Sequence, residues 1–479
     1  MKKFFTFLVL VLSAVFILPQ SHSESNVYLN SLHNKINKIL ADPFFTSSQI
    51  AIDVVDLKTK KTLYQKNEKV LYRPASNLKI LTSAAGLLFL GPDYEFSTKL
   101  YHTGQIKNST LFGDLYIVGG FDPIFSVDDL DTLLIGLEQT GIKKITGNIY
   151  ADVSAKDSLF WGSGWMWDDD PSSDAPYLSA LNINENVVKV IYSPTQVGFP
   201  VKVKLIPKSN YYSFNNYAVT SISDSPKVKL NRDWLDRKNN ITLSGNLSYS
   251  ADADTDEINV FDPVKYFLSL FRQKLFENHI TFTGIEDTLT LPASANLIGM
   301  YKHKYGDIIN PLNKESDNLD AEMTLYALAD KYYGKPATAE NGIKMIDSLI
   351  TLAGFDPADY RIVDGSGVSH YNLISAELIL GVLKYLYYGR PDLFKLFYDS
   401  LPIAGDDGTL DNRMTDTPAQ DNLRAKTGTI SGVSCLSGYI KARNGHDLGF
   451  SIMVQNYVTK AKVARVFIDE ICDLLARYK

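Results

Sequence analysis

One serine in 479 residues stands three positions ahead of a lysine, at Ser76-Asn77-Leu78-Lys79, and it opens the apolar run Leu78, Ile80, Leu81, Ala84, Ala85, Leu87, Leu88. That spacing predicts a buried helix starting at or just before the serine. Residues i and i+3 share a helix face, so the lysine amine reaches the serine hydroxyl. A hydroxyl becomes a useful nucleophile only when a neighbouring base takes its proton, and burial or cationic neighbours suit a lysine to that task. The tripeptide Lys426-Thr427-Gly428 is also unique, and it precedes strand-like sequence about 350 residues away. A fold that uses both must bring the two ends of the chain together.

Lys2 and Lys3 followed by the apolar stretch Phe4–Leu18 and a polar segment read as a secretory signal over residues 1–23, cleaved after Ser23. The stretch falls short of the ~20 apolar residues of a spanning helix. The expected product is therefore secreted or periplasmic, with no stable membrane anchor after cleavage. A net charge of −6 without a Lys/Arg block gives no sign of a nucleic acid partner. Cys435 and Cys472 are too few for a disulfide framework and read as separately buried thiols. The histidines show no ligand spacing, and no metal or cofactor is expected.

Alternation at Gln49–Asp56 and Lys61–Gln65 predicts a hairpin, after a helix near Tyr28–Leu40. At the other end Val433–Ala442 and Leu448–Asn456 read as strands, and Ala461–Arg477 as an amphipathic helix. The ends look like parts of one sheet covered by helices. Between them lie short β-rich pieces punctuated by Gly, Pro, Asn and Asp, interrupted by helical patterns at Val127–Gln139 and Pro263–Asn278. Helices return at Ala321–Tyr333, Glu340–Ala353, Ser375–Tyr388 and Pro391–Ser400. The expected organisation is a discontinuous unit of 24–97 plus 306–479, interrupted by one insertion of 98–191 plus 251–305, which itself holds a smaller module at 192–250.

A third element, Ser316-Asp317-Asn318, stands at a loop-to-helix junction. Alone it carries little, because Ser-x-Asn also occurs at Ser213, Ser244 and Ser294. Its weight comes from the order Ser-x-x-Lys, Ser-x-Asn, Lys-Thr-Gly, the ordered set of active-site serine β-lactamases and penicillin-binding proteins. The runs Pro402–Leu410, Leu423–Thr429 and Val363–Ser369 with Tyr371-Asn372 resemble the D-alanyl-D-alanine carboxypeptidase/endopeptidase family, the class C low-molecular-mass penicillin-binding proteins. So do Gly119–Pro123 and Ala180–Asn186 in the middle. The 236 residues between Lys79 and Ser316 fit that family, which carries two nested inserted domains there.

The resemblance implies an α+β, β-lactamase/transpeptidase-like fold with an antiparallel sheet flanked by helices. It implies Ser76 as nucleophile, Lys79 as its base, Ser316 as proton relay and Asn318 as the residue orienting Lys79 and binding the substrate amide. Lys426 is then expected to supply charge that both deprotonates Lys79 and attracts the substrate carboxylate, with Thr427 and Thr429 hydroxyls binding it. The backbone N–H groups of Ser76 and Thr429 would form an oxyanion hole. Gly428 would let substrate lie close along a strand edge. The implied partners are peptidoglycan stem peptides and β-lactam antibiotics. Asp168, Asp169 and Asp170, after the Trp-rich segment 161–167, resemble a loop that binds the free amine of a diamino acid side chain, with Asp169 favoured, then Asp168. Simpler roles compete: a helix cap for Ser76 or Ser316, a solvated lysine at 426, a tight turn at Gly365 and Gly367. Two other functions share these features, a serine β-lactamase and a wall-binding protein with a disabled site.

Overall fold

The two ends of the chain meet in one sheet. In the computed structural model, which describes residues 20–222 and 227–479, the N-terminal hairpin supplies β1 (Gln49–Asp56) and β2 (Thr62–Lys66). The C-terminal part supplies β3 (Arg424–Ile430), β4 (Val433–Lys441) and β5 (Asp447–Gln455). The order is β3-β4-β5-β1-β2, with every pairing antiparallel. Residues 1–19 of the expected signal segment lie outside the described residues.

Helices α1 (Gln20–Ile39), α2 (Lys79–Ala85), α3 (Asn318–Tyr333) and α4 (Ala461–Ala476) frame this sheet. Side chains alternate across a strand, and β1 uses both faces. Ile50, Ile52 and Val54 pack with Leu32 and Ile36 of α1 and with Ile468, Ile471 and Leu475 of α4. Ala51 and Val55 face the other way, into a cluster with Ile80, Leu81 and Ala84 of α2 and with the helix Ala376–Gly389. Burying each large aliphatic side chain contributes about 1.5–3 kcal/mol. The sheet is held from both sides, and its two edge strands are β3 and β2.

Between α2 and α3 the chain builds β-rich structure. A five-stranded sheet runs Glu286–Thr288, Ile149–Asp152, Leu115–Val118, Glu95–His102, Asn296–Lys304, so its last two strands pair the start of the insertion with its end. The smaller module centres on Asn240–Ser248, which pairs with Lys227–Arg232, Ser213–Asn216 and Val219–Ser221. Beside it Val187–Ser193 pairs with Lys202–Ile206 and Asp254–Asn259.

The stretch Lys99–Phe112, β-rich throughout in sequence, divides into three strands: Gly104 at φ 75° breaks it first, and Asn108 and Ser109, both in left-handed backbone (φ 48° and 56°), turn the chain a second time. The helix Tyr305–Lys314 is not expected from sequence, since Pro311 sits inside it. Tyr305, Ile308, Ile309 and Leu312 are all completely buried, and their packing outweighs a proline penalty of about 3 kcal/mol.

Candidate active site

The helix expected to begin at Ser76 begins instead as a tight 3₁₀ turn, Ala75–Leu78, which passes into α2 at Lys79. Ala75 is forced into left-handed backbone at φ 48°, a strained state for a residue with a Cβ. The loop Asp364–Ser369 packs directly against it: a Cβ on Gly367 would come within 2.0 Å of the Ala75 carbonyl oxygen. Gly367 itself has φ 87°, so the tight-turn role holds and the turn is pressed against the serine. Ser76 caps nothing with its side chain. Its Oγ lies 3.1 Å from Lys79 Nζ.

Lys79 has no exposed surface. Its amine donates to Asn318 Oδ1 at 2.5 Å and to the Ser366 carbonyl at 2.8 Å, besides meeting Ser76. Burial drives its pKa down to about 8, against the opposing pull of Asp317, Asp364, Glu322 and Asp174. Desolvation, not a cationic neighbour, is thus the leading cause. The Ser366 carbonyl is aimed by the backbone N–H groups of Gly365 and Ser366, which donate to Glu322 of α3 at 2.9 and 2.8 Å. Asp364 fixes the rest of that loop by accepting from Ser369 N, Asn372 Nδ2 and the indole of Trp165.

Asn318 opens α3, whose cap is Asp317, accepting from Asp320 N at 2.7 Å. Ser316 therefore does not cap the helix. It sits just before the cap at φ 65°, a second non-glycine residue held in left-handed backbone beside the site. Ser316 lines the cleft with Ser76, and no hydrogen bond joins its side chain to Ser76 or Lys79 among the described residues.

Strand β3 brings the Lys-Thr-Gly tripeptide against the serine turn. A Cβ on Gly428 would lie 2.7 Å from Pro74 O, 2.9 Å from Asn77 N and 3.1 Å from Ser76 N. The missing side chain thus admits the nucleophile's own turn, and Gly428 also lines the cleft. Asn77 locks the same contact. With its amide oriented to satisfy both neighbours, it donates to Lys426 O at 2.7 Å and accepts from Ser437 Oγ at 2.8 Å.

Lys426 is completely buried, and its Nζ donates to Thr427 O at 3.3 Å. Burial and the nearby Lys79 push it well below the ordinary lysine range. Thr427 donates to Thr409 at 2.8 Å, and Thr429 accepts from Arg465 of α4 at 3.1 Å. Thr409, Thr427, Thr429 and Arg465 border a cleft of about 880 Å³ that also takes in Arg73, Asp168, Asp169, Asp174, Glu315 and His370.

The three aspartates separate by environment. Asp170 is buried in an ion pair with Arg232 and accepts from Tyr177. Asp168 and Asp169 line the cleft, and Asp169 accepts from Met166 N at 2.7 Å while burial raises its pKa. Cys435 and Cys472 are both buried and free.

A hydroxyl against a desolvated amine, beside an exposed strand edge, defines an α+β enzyme of the serine acyl-transfer class. The chain belongs to the D-Ala-D-Ala carboxypeptidase 3 (S13) family, whose sequence pattern matches residues 32–478. It is 31% identical to the D-alanyl-D-alanine carboxypeptidase of Actinomadura sp. (strain R39), covering 96% of this chain and 87% of that one. It is 26% identical to D-alanyl-D-alanine carboxypeptidase DacB of Haemophilus influenzae, over 94% and 92% of the two chains. The crystal structure of penicillin-binding protein 4 (dacB) from H. influenzae superposes with a TM-score of 0.78 at 25% identity, covering 92% of this chain and 97% of the other.

Sequence reasoning missed several residues that shape this site. Glu322 is four residues past Asn318, on the same face of α3, and that spacing was a usable signal. Asp174, His370 and Arg465 have no local pattern and are brought in by tertiary structure alone.

Proposed function

We propose that this protein is a penicillin-sensitive serine DD-peptidase, exported to the periplasm or beyond, that cleaves D-Ala–D-Ala termini and/or D-Ala–diamino acid cross-links of peptidoglycan. The observation that carries the reading is the Lys79 amine, fully buried and 3.1 Å from Ser76 Oγ. We assign catalysis to the unit formed by 24–97 plus 306–479, with 98–191 plus 251–305 and 192–250 as inserted domains. Among the described residues no helix is long and apolar enough to cross a membrane.

Substrate adds along the free edge of β3, as an extended peptide extends a sheet. Lys79 takes the Ser76 proton as Oγ attacks the penultimate D-Ala carbonyl. The oxyanion accepts from the N–H groups of Ser76 and Thr429, a contribution of about 3 kcal/mol per donor. Ser316 passes a proton to the departing amine, Asn318 holds both Lys79 and the substrate amide, and water then hydrolyses the ester on Ser76. Lys426 supplies positive charge that disfavours a proton on Lys79, and its backbone carbonyl braces the turn through Asn77. Asp169 and Asp168 receive the free amine of a diamino acid side chain.

The purified protein should take up a fluorescent penicillin covalently, and Ser76→Ala should take up none. The wild type should release D-Ala from a defined pentapeptide, read by product mass. Labelling that survives in Ser76→Ala would end the assignment, and rapid release of the adduct would instead favour a β-lactamase.

A further inference from the structure

The cleft contains a cation that the acyl-transfer steps leave idle. Arg465 projects from α4 to the cleft wall and donates through Nη2 to Thr429 Oγ1 at 3.1 Å. No carboxylate lies within ion-pair distance of it among the described residues. The other basic groups of the region are engaged elsewhere. Arg413 is paired with Asp469; Arg73, which also lines the cleft without an ion-pair partner among the described residues, donates to Asn456 Oδ1 at 2.6 Å and lies 3.4 Å from His370 Nδ1, away from Thr429. Lys426, the residue expected from sequence to meet the substrate carboxylate, has no exposed surface.

The chemistry of the contact adds direction. A hydroxyl that accepts from a guanidinium has its own O–H free to donate. Thr429 is exposed on β3, so its proton is available to an anion that also meets the guanidinium. A planar fork of N–H donors suits a carboxylate, and arginine keeps its charge at any pH at which the enzyme works.

We infer that Arg465, acting with the Thr429 hydroxyl, is the receptor for the C-terminal carboxylate of the substrate peptide. This rests on the DD-peptidase reading above. It makes a residue of the C-terminal helix the determinant of preference for peptides that end in a free acid next to the scissile bond.

The test compares one acyl-D-Ala–D-Ala peptide as free acid and as C-terminal amide, with kcat/KM measured for each. The wild type should prefer the acid, and Arg465→Ala should reduce the acid-to-amide ratio by about 10- to 100-fold, the range for a lost hydrogen bond to a charged group. Arg465→Gln, which keeps a donor for Thr429 but no charge, should resemble Arg465→Ala, and Arg465→Lys should recover part of the ratio. Because the ratio is internal to each variant, partial misfolding lowers both terms alike. An unchanged ratio in Arg465→Ala, with active wild type, would overturn the role of Arg465 and leave the DD-peptidase reading intact. Failure of the wild type to hydrolyse the acid at all would overturn the DD-peptidase reading itself.

Discussion

Replacing Lys79 with methionine separates what the buried amine does for chemistry from what it costs the fold. In the unfolded chain a lysine titrates near 10.5, whereas burial lowers Lys79 to about 8. Between those values the unfolded state holds a proton that the native state has released, so wild-type stability rises with pH across the window. The difference corresponds to about 3 kcal/mol, absent below pH 8 and gained in full by pH 10.5. Lys79→Met has no such term. The hydrogen bonds lost to Asn318 and Ser366 shift its stability by a constant that does not change with pH. Lys426, relieved of its charged neighbour, moves toward the unfolded value, which widens the contrast in the same sense. Urea unfolding of both proteins from pH 7 to 10 should show the wild type gaining on the variant by 2–3 kcal/mol, to order of magnitude. Wild-type acylation by fluorescent penicillin should rise about tenfold from pH 7 to 9 and then level, as the amine loses its proton. The variant should lose acylation at every pH. Parallel stability curves, or an acylation rate flat across pH 7–9, would refute a desolvated amine as the base.

Gly428→Ala places a methyl against three backbone atoms of the serine turn, and should cost about 1–3 kcal/mol while slowing acylation more than it lowers Tm would suggest. Full activity would show that the turn and β3 part without consequence. Asp170→Ala strands a buried Arg232 and should cost about 3–5 kcal/mol in urea unfolding, and a loss under about 1 kcal/mol would contradict the burial of that pair. Asp169→Asn should leave stability nearly unchanged and weaken cleavage of peptides bearing a free diamino acid amine more than of peptides lacking it. Equal losses on both peptides would remove Asp169 from recognition.

The elements near the site were legible because local chemistry and tertiary role agree there. The apolar period behind Ser76, the alternation of Gln49–Asp56 and the helix Val127–Gln139 all match the structure in kind, and the last two in their bounds. What sequence does not carry is the direction from which neighbours arrive. Gly428 is small for the serine turn, a contact made across the fold and invisible in the tripeptide itself. Likewise, nothing in Ala75–Leu78 signals the positive φ of Ala75 or the close approach of Gly367. The strands Ser213–Asn216, Lys227–Arg232 and Asp254–Asn259 were missed because their polar, partly exposed residues give little alternation for a pattern to register. Lys426 was placed correctly on its strand, and its complete burial followed only from packing.

Because β1 and β2 come from the beginning of the chain while β3, β4 and β5 come from its last quarter, the reaction centre is incomplete until both segments are present. Loop closure over hundreds of residues must precede that assembly, a topology associated with slow folding. The inserted β-rich region, whose first and last strands pair with each other, is able to mature while the outer segments wait. The reaction centre is thus a product of the pairing of β1 with β5, whose register joins the two ends of the chain.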